Sequence, residues 1–126
     1  MNHPGMTGCR VLIVEDESVF AMMLEALLKD LGCHVVATAA RPEDAIPIIE
    51  RRALDVAVLD INLDGQNSYG VAAALAARGL PFIFSTGYSA EGSGGEFSDR
   101  PTLHKPFRTD ELEQVLLRVL QPKVPH

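Results

Sequence analysis

Apolar positions along the chain alternate between short continuous runs and longer stretches with helical spacing. Val11-Leu12-Ile13-Val14 is apolar without interruption, a pattern that suits a strand covered on both faces. Phe20, Met23, Leu24, Leu27, Leu28 and Leu31 then recur at three- and four-residue intervals, which predicts a helix with an apolar face that stops at Gly32. Val35-Val36-Ala37 predicts a second strand, and Pro42-Glu43-Asp44 opens a second helix with proline in its first turn. Pro47 falls inside that helix, where its ring and its missing N–H predict a kink or a later start. Asp55 to Leu59 reads as a third strand that ends at Asp60, and Val71 to Arg78 as an alanine-rich helix stopped by Gly79. Pro81-Phe82-Ile83-Phe84 is a fourth strand ending at Ser85-Thr86. Residues 88–100 carry Gly92, Gly94 and Gly95, poor helix formers, so a fourth helix is expected to be short or missing. Thr102-Leu103-His104 predicts a fifth strand. The last helix begins near Thr109, with Asp110 and Glu111 complementing its dipole and Leu112, Val115, Leu116 and Val119 on its buried face.

Strands that alternate with helices in this way predict an α/β fold, an open and doubly wound sheet of five parallel strands. The domain is expected over residues 9–121, with loose ends at 1–8 and 122–126, where Pro122 and Pro125 oppose any helix. In such sheets the ligand crevice lies beyond the carboxyl ends of the strands, where the strand order reverses. The residues at those ends are Glu15-Asp16-Glu17, then Asp60, Thr86, and Lys105-Pro106. Each has an ordinary explanation by itself: acids complement a helix dipole, aspartate starts turns, and a lysine can be a solvated charge. Together they bring an acidic pair, a lone carboxylate, a hydroxyl and an ammonium to one edge. That set suits a hard cation working on a phosphoryl group.

Composition narrows the setting. The chain has 126 residues, 47% hydrophobic and 22% charged, as expected of a single globular domain. A formal charge of −6 argues against nucleic acid as a direct partner, because phosphate backbones demand basic patches. No apolar run approaches the roughly 18 residues of a membrane span, and the start MNHPGMTGCR lacks the core of a signal peptide, so a cytoplasmic chain without membrane contact is expected. Cys9 and Cys33 are too few for a disulfide framework and are expected as free thiols.

The segments VLIVEDE, VAVLDINLDG, FIFSTGY and HKPF, in this order across residues 10–120, resemble the receiver domains of two-component response regulators. STGY further resembles the Phe-Ala-Thr-Gly segment of alphaproteobacterial single-domain regulators, with Ser85 at the alanine position. The resemblance implies a flavodoxin-like sheet with strand order 2-1-3-4-5 and Asp60 as phosphoacceptor. It also implies Mg²⁺ held by Asp16 and Asp60, by Glu15 through water, and by the backbone carbonyl of Asn62. Thr86 would donate its hydroxyl to the bound phosphoryl group, Lys105 would pair with another of its oxygens, and the bond before Pro106 would be cis. The implied partners are a histidine kinase or phosphotransfer protein and a downstream protein target, with the chain a monomer or weak homodimer. No enzyme activity is implied beyond self-catalysed phosphotransfer and autodephosphorylation.

Two departures from the family pattern affect signal output. Thr102 stands where relatives carry an aromatic switch residue, and the glycine-rich stretch replaces the usual fourth helix. The switch candidates are therefore Thr86, Tyr88 and Thr102. An aspartate-nucleophile phosphohydrolase would need a second aspartate two residues beyond the nucleophile, where this chain has Asn62. A flavin module would place phosphate against Glu15-Asp16-Glu17, which would repel it. The remaining alternative is a receiver-like interaction module that is never phosphorylated. The short tail after the last helix suits either a stand-alone regulator or a piece of a longer protein, with Met1 favouring the former.

Overall fold

The computed structural model describes residues 6–63, 65–87 and 100–120. Five strands, β1 (Arg10–Val14), β2 (His34–Ala39), β3 (Val56–Asp60), β6 (Phe82–Thr86) and β7 (Thr102–His104), form one sheet in the order β2-β1-β3-β6-β7. All its pairs are parallel, so in chain order the strands lie 2-1-3-4-5. Helices α1 (Ser18–Asp30), α2 (Pro42–Arg51), α3 (Tyr69–Ala77) and α4 (Thr109–Leu120) cover it. A small antiparallel hairpin, β4 (Asn62–Leu63) with β5 (Gln66–Asn67), follows β3 and has no counterpart in the sequence reading. Its turn passes through Gly65 at φ 84°, a left-handed conformation that favours glycine. The segment in which a short or missing helix is expected, with Tyr88, falls on residues 88–99, outside the described residues.

Period-two alternation divides the core in two. Val11, Ile13, Val56, Val58, Ile83 and Leu103 pack with Phe20, Leu24 and Leu28 of α1 and Leu112 and Leu116 of α4. Leu12, Val14, Ala57, Leu59, Phe82 and Phe84 pack with Ala45 and Ile49 of α2 and Val71, Ala72 and Leu75 of α3. Helices on both faces explain why β1 and β3 are nearly all apolar: neither face of the central strands meets water.

Both predicted glycine stops hold, for the same reason. The N–H of Gly32 reaches Lys29 O and that of Cys33 reaches Leu28 O; Gly79 and Leu80 repeat the pattern on Ala76 O and Leu75 O. Each glycine has a positive φ (96° and 68°), so the chain reverses while the last helical carbonyls stay bonded. Other details differ. Met23 is 41% exposed, and Val115 and Val119 are only half-buried, because the contact stripes of α1 and α4 are narrower than their apolar spacing. Helix α2 runs from Pro42 through Pro47 to Arg51 without a late start. Pro47 lies on the exposed face, where water can serve the carbonyl its missing N–H leaves without a donor. The expected loose start at 1–8 is partly tied down: Met6 is fully buried, and Gly8 N–H donates to Gly32 O at 2.8 Å.

At the amino end of the sheet, Arg10 grips Asp55 with a forked pair, Nε to Oδ2 at 3.0 Å and one terminal nitrogen to Oδ1 at 2.9 Å. The Arg10 backbone N–H also reaches Oδ2, at 2.8 Å. The Arg10 guanidinium hydrogen-bonded to Asp55 holds its carboxyl below the ordinary 3.8. Because the folded value is the lower one, the stabilisation is complete above pH 3.8 and fades as pH falls through the folded value. Asp55→Asn should therefore lower the thermal midpoint at neutral pH, with the gap from wild type closing in the acid range below 3.8. A gap independent of pH would show that the charge is not the cause. Ser85, 1% exposed, has a hydroxyl oxygen without a hydrogen-bond partner. An unmatched buried hydroxyl costs about 1–3 kcal/mol, so Ser85→Ala should raise the thermal midpoint by a few degrees; a fall would refute this.

Candidate functional site: an acidic cavity at the strand ends

The alternation that builds the core also delivers the polar residues. Glu15 follows Ile13 by two, Asp60 follows Val58 by two, and Lys105 follows Leu103 by two, so all three carry the parity of the α1/α4 face. Glu15 is held in line with β1 because its N–H still pairs with Ala39 O of β2, at 2.9 Å. It is 3% exposed, and its Oε2 accepts the N–H of Glu17 at 3.1 Å. Asp60, 7% exposed, ends β3; its Oδ1 accepts the N–H of Asn62 at 3.2 Å. The Asn62 side-chain oxygen in turn accepts the N–H of Gly65 at 3.0 Å, which fixes the turn beside the acid.

Lys105 joins the two carboxylates. Its Nζ lies 2.7 Å from Glu15 Oε1 and donates to Asp60 Oδ2 at 3.0 Å. Its backbone N–H donates to Thr86 O at 2.8 Å, and the Lys105–Pro106 peptide is cis. The ammonium also sits over the ring of Phe20, 4.4 Å from its centroid, and Phe107 packs edge-on against that ring at 5.5 Å. Phe20 is a site residue that the spacing alone placed only in the core, since a hydrophobic period cannot tell a packing ring from one lying beneath a cation.

Asp16 is exposed, yet one of its carboxylate oxygens comes within 4.8 Å of ligand oxygens of both Glu15 and Asp60. These side chains, with Asn62, Gly65, Gly87 and Lys105, line a cavity of about 630 Å³. Thr86 is buried at the end of β6, one residue before Gly87. Thr102 is half-buried on β7, paired with Phe84, whose ring meets Tyr69 edge-on at 6.0 Å. The structure thus brings Glu15, Asp16, Asp60, Asn62 and Lys105 around one cavity; Thr86 is buried behind Gly87 and does not line it, and neither does Thr102 on β7.

Crowding of charge sets the electrostatics. Burial pushes the Glu15 carboxyl up to about 7, against the pull of Lys105, and the nearby Asp60 charge adds to the rise. Burial would lower Lys105, but its contacts with Glu15 and Asp60 outweigh that and hold it above the ordinary lysine value. Glu15 Oε1 is buried 2.7 Å from the Lys105 ammonium, and as a carboxylate oxygen it keeps a second lone pair for another partner. That oxygen, with an all-oxygen donor set of three carboxylates, fits a hard divalent cation such as Mg²⁺, held directly or through its waters.

Comparisons with known proteins agree with this geometry. SdrG from Sphingomonas melonis Fr1 is 42% identical, with 94% of this chain and 100% of that one covered at a TM-score of 0.81. The receiver domain of the sensor histidine kinase PA1611 from Pseudomonas aeruginosa PAO1 is 28% identical over 90% of this chain and 98% of that one, at 0.77. That structure has a magnesium ion coordinated in its active-site cleft. The transcriptional regulatory protein YvrH of Bacillus subtilis is 28% identical over 111 residues, 85% of this chain and 47% of that protein. A probable transcriptional regulator, ycf27 of Guillardia theta, is 32% identical over 89% of this chain and 45% of its own length. The chain therefore spans about half the length of these curated relatives. Among the described residues, no helix is long and apolar enough to cross a membrane. The family model of the response regulator receiver domain matches residues 11–117, nearly the whole span that holds the sheet and the acidic cavity, and the chain belongs to that family.

Proposed function

We propose that this receiver domain takes a phosphoryl group from a histidine kinase or phosphotransfer protein onto Asp60 and passes the signal on through protein contacts. The observation that carries the reading is the convergence of Glu15, Asp16 and Asp60 on one cavity, with the Lys105 ammonium already between two of them. A carboxylate is a weak nucleophile toward a phosphoryl group that carries its own negative charge. Mg²⁺, bound by Asp16 and Asp60, by Glu15 through water and by the Asn62 carbonyl, would neutralise that charge. In the transfer, an Asp60 oxygen bonds to phosphorus as the donor's N–P bond breaks, and the freed imidazole keeps the electron pair. Lys105 then exchanges its Asp60 contact for a phosphoryl oxygen, and Thr86 donates its hydroxyl to another. The same residues would support slow self-catalysed dephosphorylation, with no further enzyme activity. The donor must bring its histidine to the cavity mouth. Beside that mouth, α1 exposes Val19, Met22 and Met23, an apolar patch suited to a partner surface.

Acetyl phosphate and intact-mass measurement test the acceptor. Wild type should gain one phosphoryl group with Mg²⁺ present and none after chelation. Asp60→Ala should gain none, and Asp16→Asn should need more Mg²⁺. Stable labelling of Asp60→Ala would overturn the assignment, and a wild type that never labels would favour a module that only binds partners.

The ring beneath Lys105 gives a second expectation. A partly desolvated cation–π contact is worth about 1–2 kcal/mol, or roughly a 5- to 30-fold effect on a step that needs the cation in place. Phe20→Leu should slow labelling within this range at saturating Mg²⁺ while leaving the Mg²⁺ requirement unchanged, and Phe20→Tyr should restore the rate. Equal rates in all three proteins would remove any role for the ring beyond packing.

A further inference from the structure

The two cysteines meet at the end of the sheet opposite the acidic cavity. Cys9 immediately precedes β1 and Cys33 immediately precedes β2. These strands are parallel neighbours, with Arg10 in register with His34. Main-chain bonds lace the two segments together at this height: Gly8 N–H to Gly32 O at 2.8 Å and His34 N–H to Cys9 O at 2.7 Å. Adjacent strands lie about 4.8 Å apart, inside the roughly 4.4–6.8 Å between Cα atoms that a disulfide spans. Both thiols are free, both are 7% exposed, and both belong to one apolar cluster with Met6, Leu28 and Leu31. Cys9 also lines a cavity of about 420 Å³ with Thr7, Asp55 and Pro81, which is roomy enough for a small oxidant.

The surroundings differ for the two sulfurs. The hydrogen bond between the thiols, with burial next, pushes Cys9 far up, and the Asp55 charge adds to the rise. The same hydrogen bond, received from Cys9, lowers Cys33. The bond holds the two sulfurs against each other, so a thiolate on either one has the S–H of the other beside it.

We propose that Cys9 and Cys33 are a reversible dithiol–disulfide site that a small peroxide oxidises. The thiolate of one cysteine attacks one oxygen of hydrogen peroxide, the O–O bond breaks, and the departing hydroxide takes up the proton that this cysteine released, as water. That cysteine is left as a sulfenic acid. The sulfur of the other cysteine then displaces its oxygen to form the S–S bond, and the departing hydroxide takes the second thiol proton as a second water. Two thiols lose two electrons and two protons, and the peroxide becomes two waters. This site is independent of phosphoryl chemistry at Asp60.

The test uses the full chain, reduced and then exposed to hydrogen peroxide at near-stoichiometric amounts. Remaining thiols are alkylated under denaturing conditions, and the protein is mapped by mass spectrometry. A loss of two hydrogens, no alkylation, and one peptide pair linking Cys9 to Cys33 within a monomer are expected, with full reversal by dithiothreitol. In Cys9→Ser and in Cys33→Ser, dimedone should trap a sulfenic acid on the remaining cysteine. Complete alkylation of both thiols after peroxide would overturn the proposal, as would a bridge formed only between chains.

Discussion

Two carboxylates held within reach of one ammonium, away from bulk water, are the constraint around which this molecule is arranged. Glu15 and Asp60 repel each other, and burial disfavours the charge on each. Lys105 compensates but does not make the cluster a source of stability, because desolvating three ionic groups offsets much of their attraction. The rest of the fold has to hold them together. It does so by ending β1, β3 and β7 of one sheet, with β6 between the last two, at the same height, so that main-chain pairing, and not the charges, fixes the separations. Glu15 stays in line through its bond to Ala39, and Lys105 through its bond to Thr86.

The apolar core has the complementary task. The α1/α4 face ends in charged residues, and the same strands carry Val11, Ile13, Val56 and Val58 beneath them. Phe20 and Phe107 lie where the two regimes meet, apolar toward the core and, in the case of Phe20, ring face toward the Lys105 ammonium. The opposite end of the sheet is closed by the Arg10–Asp55 fork and by the two neighbouring thiols. Polar chemistry is confined to the two rims, and the interior between them is apolar.

The likeness to SdrG, at 42% identity, is greater than that to the PA1611 receiver domain, at 28%. The packing of the sheet beside the cavity is aromatic. Thr102 stands half-buried opposite Phe84, and aromatic packing runs instead through Phe82, Phe84 and Tyr69 on the α2/α3 face. Arg100 adds its guanidinium 4.6 Å from the Phe82 ring centroid. The aromatic bulk sits on β6, beside Thr102, on residues whose aromatic character the sequence displays but whose contacts it does not.

Much of the fold was legible because its signals are local. Unbroken apolar runs demand two covered faces, glycines at 32 and 79 can take the left-handed turn that ends a helix, and acids at strand ends stay acids wherever the chain goes. The sequence alone therefore determined the five strands, two helix stops and the roster of Glu15, Asp16, Asp60, Thr86 and Lys105. Features that depend on distances between segments far apart in the chain were beyond it. Apolar spacing could not say that Met23 and Val119 lie off the contact stripes, since stripe width is set by the neighbouring strands. The hairpin after Asp60 is an exception: its signal is local, Gly65 in a left-handed turn with its N–H donated to the Asn62 side chain, and the apolar pattern alone did not show it. Only the tertiary structure decided that Lys105 sits between Glu15 and Asp60 and above Phe20, because those contacts exist only once β1, β3 and β7 end at the same height in one sheet.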